Sequence, residues 1–186
     1  VCPPANTPPT ITPAVGVTRQ AGSPALNSTI ATVGDAETAP GSLVVTVTSA
    51  NPSNGVTISN IVNTAGTITA DVVAACGATN ASFTLTVTDG GGLTTNGTLN
   101  VTVTANTAPV LTYNSPAAVV FGQSGITVNP ATGPSDNGSV ASVVVQSQGT
   151  YTGSVSVTSG GVVTLNGAAP VGTHTITIRA TDNCGA

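Results

Sequence analysis

The stretch ASFTLTVT, residues 81–88, alternates without a break: Ala81, Phe83, Leu85 and Val87 on one side, Ser82, Thr84, Thr86 and Thr88 on the other. Successive side chains of a β-strand point to opposite faces, so this is the pattern of an antiparallel strand with one face in a core. Residues 42–49, SLVVTVTS, repeat it, with Leu43, Val45 and Val47 against Val44, Thr46 and Thr48. Residues 99–104, LNVTVT, follow the same style, and residues 56–61 and 67–74 are further strands by this reading. Between the runs sit Asn54-Gly55, Asn96-Gly97, Asn137-Gly138 and Asn166-Gly167, with Gly90-Gly91-Gly92 and Gly160-Gly161. Asn and Gly accept the positive φ of tight turns, so each of these pairs is expected to be a turn. No segment carries helical periodicity. Short strands separated by such turns predict an all-β chain of antiparallel sandwich type.

The sequence also repeats. NTPPTI at residues 6–11 returns as NTAPVL at residues 106–111, and FTLTVTDGGG at 83–92 returns as ITIRATDNCG at 176–185. Asp35 and Asp136 fall at nearly equal distances from their repeat starts. Three matches in one order predict two homologous sandwiches in tandem, residues 1–105 with a linker at 1–8, and residues 106–186.

Composition narrows the function. The 186 residues are 39% hydrophobic and only 4% charged, against about 25% charged in ordinary domains. Arg19 and Arg179 are the only cations, so nucleic acid and anionic membranes find no electrostatic footing. No apolar run approaches the roughly 20 residues of a membrane-spanning helix, so no membrane insertion is expected. Residue 1 is Val, with no leader behind it, and the numbering is expected to begin inside a processed or longer polypeptide. The one histidine, His174, falls in phase with Ile176 and Ile178 and reads as a structural residue at a strand end. No nucleophile elbow, HExxH or phosphate-binding loop is present, and the six acids are scattered, so the chain is not expected to be an enzyme.

The starts NTPP and NTAP resemble the Asn-x-x-Pro openings of cadherin-like modules. Residues 170–186, PVGTHTITIRATDNCGA, resemble the penultimate strand and following turn of a hyalin-type repeat. Together they resemble the tandem immunoglobulin-like repeats of bacterial surface and secreted proteins. The resemblance implies two tandem immunoglobulin-like antiparallel sandwiches in an extracellular setting. It also implies a last strand after Thr-Asp-x-x-Gly. Residues 93–105, LTTNGTLNVTVTA, supply it in the first repeat, and the second repeat lacks its final strand within this chain. Cadherin-like modules hold Ca²⁺ with Asp, Glu and Asn oxygens, which puts Asp35, Glu37, Asp89, Asp136 and Asp182 forward as ligands. The linker TANTAP departs from that pattern, having no acid, and Asx residues in turns also cap turn backbone.

Cys2, Cys76 and Cys184 form no CxxC pair, and disulfides are expected in an extracellular chain. A Cys2–Cys76 bridge is the simplest arrangement, with Cys184 bonding outside this window; an intermolecular bridge is the alternative. Thr- and Ser-rich outward faces suit O-linked glycans, and sequons stand at Asn27, Asn80, Asn96, Asn100 and Asn137. Sheet edges of soluble monomers are commonly blunted with Lys, and this chain has none. The expectation is a structural module of an extracellular fibre or surface array, self-associating through sheet edges or continuing in a longer repeat chain. An adhesin stalk, or an ancillary binding or spacer module of a secreted protein, is the alternative.

Overall fold

The structure is a computed structural model that describes residues 5–116 and 118–186. It is all-β, with one 3₁₀ turn at Pro40–Ser42 as the helical element among the described residues, and it divides into two compact units, Val1–Ala105 and Asn106–Ala186.

Unit 1 holds β1 (Thr10–Pro13), β2 (Val17–Gln20), β3 (Leu26–Gly34), β4 (Val44–Val47), β5 (Val56–Thr64), β6 (Thr67–Ala74), β7 (Ala81–Thr88) and β8 (Thr94–Thr104). They form two four-stranded sheets in the orders β1-β3-β6-β5 and β2-β8-β7-β4. Every pairing is antiparallel except β2 with β8, which run parallel. The alternation read from the sequence decides which face goes inward. Phe83, Leu85 and Val87 of β7 meet Leu99 and Val101 of β8 and Ile30, Ile68 and Val72 of the other sheet in one immunoglobulin-like sandwich core. Burying each such side chain contributes about 1.5–3 kcal/mol. β5 and β6 join through Ala65 and Gly66, both at positive φ; a Cβ on Gly66 would lie 2.8 Å from the Val33 carbonyl oxygen.

One expected turn is not a turn. Asn96-Gly97 lies inside β8, paired with Thr86 and Leu85. A Cβ at Gly97 would come within 2.6 Å of Pro13 Cγ, so this glycine serves close approach of β1 and not chain reversal. Asn54-Gly55 does turn, with φ of 47° and 78°.

Unit 2 holds β9 (Val110–Thr112), β10 (Ile126–Val128), β11 (Thr132–Ser135), β12 (Val140–Ser147), β13 (Ser154–Val157), β14 (Val163–Asn166) and β15 (Thr177–Asp182). The order β10-β14-β13 matches β3-β6-β5, the pair β11-β9 matches β3-β1, and β12-β15 matches β4-β7. Among the described residues no strand of unit 2 takes the positions of β2 and β8. Its core is correspondingly small: Tyr151, Val163, Leu165 and Ala168 are buried, while Ile126, Val128, Ile176 and Ile178 are only partly covered.

Candidate functional site

The acids proposed from the sequence gather at the Asn-Thr start of each unit. In unit 1, Asp89 follows β7 and is 7% exposed. Its Oδ1 accepts the backbone N–H of Gly91 and of Leu93, both at 2.8 Å, and its Oδ2 accepts Asn6 Nδ2 at 2.9 Å. Beside it, the Thr7 hydroxyl donates to Glu37 Oε2 at 2.7 Å, and Asp35 Oδ2 accepts the N–H groups of Glu37 and Thr38. Unit 2 repeats the arrangement. Asp182, 2% exposed, accepts the N–H groups of Cys184 and Ala186 on Oδ1 and Asn106 Nδ2 on Oδ2 at 2.5 Å. Thr107 donates to Asn137 Oδ1, and Asp136 Oδ2 accepts the Gly138 N–H. The repeat start and the Thr-Asp turn, recognised in the sequence as separate matches, are two halves of one clasp.

Hydrogen bonding decides the charge state of the clasp. Burial pushes Asp89 up, but donors on Asn6, Leu93, Gly91 and Gly92 outweigh it and hold the carboxyl below its ordinary value. At Asp182 the Asn106 amide is the largest influence, and it outweighs burial with help from the Ala186, Cys184 and Gly185 N–H groups.

A hard cation such as Ca²⁺ takes 6–8 oxygens. Among the described residues no three His, Cys, Asp or Glu side chains come together in a metal-holding group. The buried oxygens without a hydrogen bond are Asp35 Oδ1, Asp136 Oδ1 and Asn106 Oδ1; both oxygens of Asp89 and of Asp182 already accept N–H donors. As arranged, the acids act as turn caps.

The remaining candidates are separate. Cys76 and Cys184 are disulfide-bonded, and Cys2 lies outside the described residues, as does its expected bridge. His174 precedes β15, where its Nε2 donates to the Pro170 carbonyl at 2.8 Å. That leaves Nδ1 to accept the Thr150 hydroxyl, also at 2.8 Å, while the ring stands edge-on to Tyr151. Of the sequons, Asn96 and Asn100 are exposed on the outer face of β8, Asn80 is exposed just before β7, Asn27 donates to Asp71 Oδ1, and the Asn137 amide nitrogen is buried. The outer hydroxyls of the β2-β8-β7-β4 sheet are partly linked: Thr48 and Thr86 oxygens lie 2.8 Å apart, and Thr86 donates to Asn96.

Sequence reasoning missed two residues. Asp71 bridges Asn27 of β3 and Asn60 of β5 across the middle of a sheet, and those two amides hold it below its ordinary value. Arg19 is buried on β2, where its guanidinium donates to Ser23 Oγ and the Pro24 carbonyl. Arg19 sits in a four-residue strand, too short for an alternation signal, and the amides that hold Asp71 lie on two other strands, so neither role could be read from the local pattern.

No protein-family model matches the chain, and no curated protein sequence does. Solved structures with a similar trace include the human desmocollin-1 ectodomain, at 12% identity and a TM-score of 0.40 over 98% of this chain and 35% of that one. The protocadherin gammaB4 extracellular domain follows at 16% identity and 0.39, covering 94% of this chain and 30% of that one. The protocadherin gammaB7 EC3-6 cis-dimer stands at 20% and 0.36, covering 94% and 46%. The chain thus spans less than half the length of each. No helix among the described residues is long and apolar enough to cross a membrane.

Proposed function

We propose that the chain is a tandem structural module of an extracellular fibre, filament or cell-surface array, joined to its neighbours through sheet edges or as part of a longer repeat chain. One observation carries this reading. β15 of unit 2 pairs only with β12 among the described strands, and no Lys guards its other edge. An unguarded edge presents N–H and C=O groups that another strand satisfies. Disulfides at Cys76 and Cys184 suit an oxidising compartment. The hydroxyl-rich outer faces offer O-glycan sites, and Asn80, Asn96 and Asn100 offer exposed amides for N-linked sugars.

Cryo-electron microscopy of the native material tests the reading. Filaments with an axial repeat of one or two sandwiches are expected; monodisperse particles that bind glycan overturn it and favour an adhesin stalk or a spacer module. Intact mass on the same sample reads the sugars.

A further inference from the structure

The β2-β8-β7-β4 sheet of unit 1 turns its second face to water. Along β4, β7 and β8 the outward positions alternate with buried ones, and apart from Val44 they carry Thr, Ser and Asn. Three Asn-x-Ser/Thr triplets lie on this face: Asn80-Ala81-Ser82, Asn96-Gly97-Thr98 and Asn100-Val101-Thr102. Residues two apart in extended chain share a face, so each asparagine stands on the side of its own hydroxyl residue. All six of these side chains are exposed.

Where the fold holds these amides, it holds them by the oxygen. Asn80 Oδ1 accepts the Val103 N–H at 2.8 Å, and Asn96 Oδ1 accepts the Thr86 hydroxyl at 2.8 Å. Among the described residues, no acceptor takes the Nδ2 of Asn80, Asn96 or Asn100. The register gathers the sites on neighbouring strands, with Asn100 opposite Ser82 and Asn96 opposite Thr86. A groove of about 430 Å³ opens at Asn80, lined also by Ala78, Thr79, Val103, Thr104 and Ala105, and it has room for a sugar ring.

The other two triplets are placed differently. Asn137 Nδ2 is buried, and its Oδ1 takes the Thr107 hydroxyl, so a ring on that nitrogen would be driven into the fold. Asn27 spends its nitrogen on Asp71 Oδ1 at 3.0 Å, and the second oxygen of Asp71 takes Asn60 Nδ2 at 2.7 Å. A sugar on Asn27 would displace a hydrogen bond to a carboxylate, one of the stronger kinds. The fold thus sorts five like triplets into three with a free amide nitrogen on one face and two without.

We infer that the chain carries N-linked saccharide on one face of unit 1 only, at Asn80, Asn96 and Asn100, and none at Asn27 or Asn137. The donor is a saccharide carried on a lipid pyrophosphate, handed over by a transferase. Asparagine Nδ2 bonds to the anomeric carbon, and the bond from that carbon to the pyrophosphate oxygen breaks. The lipid pyrophosphate leaves with the electron pair, and the amide gives up one proton. The sugars stand over the β2-β8-β7-β4 face and hold other copies away from it, as surface charge does in ordinary soluble domains. The inference rests on the extracellular reading above and adds which amides carry sugar, what donor supplies it and which face it closes.

Glycopeptide mass spectrometry of the native material tests this, after digestion with a broad-specificity protease, since the chain offers two Arg and no Lys for tryptic cleavage. Expected is saccharide on the amide of at least two of Asn80, Asn96 and Asn100, with Asn27 and Asn137 bare. Fewer than two, sugar on Asn27 or Asn137, or sugar on hydroxyls alone overturns the inference. The hydroxyl of each triplet gives a second readout. Thr98→Ala and Thr102→Ala, at exposed positions and made in the native host, are expected to lower occupancy at Asn96 and Asn100 at least tenfold, while Thr98→Ser retains sugar at Asn96. Unchanged occupancy in both alanine variants overturns the assignment of these triplets as acceptors. Filaments of bare chain leave the assembly reading standing and remove this one; sugar at these asparagines on monodisperse particles does the reverse.

Discussion

Gly133 has φ of 83°, and a Cβ built on it overlaps the Val110 carbonyl oxygen of the paired strand. Gly133→Ala combines a left-handed backbone with a backbone clash, and it is expected to destabilise unit 2 by more than about 1 kcal/mol. Urea unfolding of the variant against wild type reads this, with Gly92→Ala as a comparison: its φ of 88° carries the conformational cost alone, since nothing lies within 4 Å. The capping carboxylates give a pH dependence. Asp89 and Asp182 both titrate below 3.8 when folded, so their contribution is complete above that value and is lost as pH falls through the lower folded values. Thermal midpoints should hold steady from pH 7 to about 4 and then drop. Asn6→Ala and Asn106→Ala are expected to lower the neutral midpoint and weaken the acid drop; an unchanged acid profile in both would remove the clasp as its origin. The acids were legible in the sequence as turn residues, but their asparagine partners stand 83 and 76 positions away, and no local pattern joins them.

At the scale of elements, β4, β6 and β7 fall where alternation placed them, because each has one face in the core and one in water. β3 and β12 escaped that reading. LNSTIATVG carries a register shift at Thr29/Ala31 that puts Ile30 and Ala31 both inside, and VASVVVQS carries shifts at both ends, so strict period two is broken in each. β2 was missed because its four residues include Arg19, which the strand buries. The unequal coverage of β7 and β15 has an energetic signature. Phe83→Ala should cost about 3–5 kcal/mol, as truncations of buried aromatic residues do. Ile176→Ala should cost about 1–2 kcal/mol, since its surroundings already share it with solvent. Denaturant curves on the two variants compare these directly, and equal costs would mean that unit 2 is as well packed as unit 1.

For the whole molecule, the scarcity of charge is the governing property. With two cations and six acids in 186 residues, the stability of the units is not expected to depend much on ion pairs. Raising NaCl from 0.05 to about 1 M, which shortens the screening length from roughly 14 to 3 Å, should leave melting midpoints and any filaments intact. Disassembly in salt would point to charged contacts instead. The tandem repeat was legible as three matched segments; the clasp explains why those segments recur, since the start and the turn of each unit hydrogen-bond to one another.

The parallel pairing of β2 with β8 carries a mechanical consequence. β2 lies near the start of unit 1, and β8 leads to its end at Ala105, with Val17 to Gln20 in register against Val101 to Thr104. Tension applied between the two ends draws these neighbours in opposite directions along their length. The ladder is then loaded in shear, so its bonds yield together, whereas an antiparallel pair pulled apart from one end would open one bond at a time. Unit 1 is thus arranged to bear pulling force along the chain.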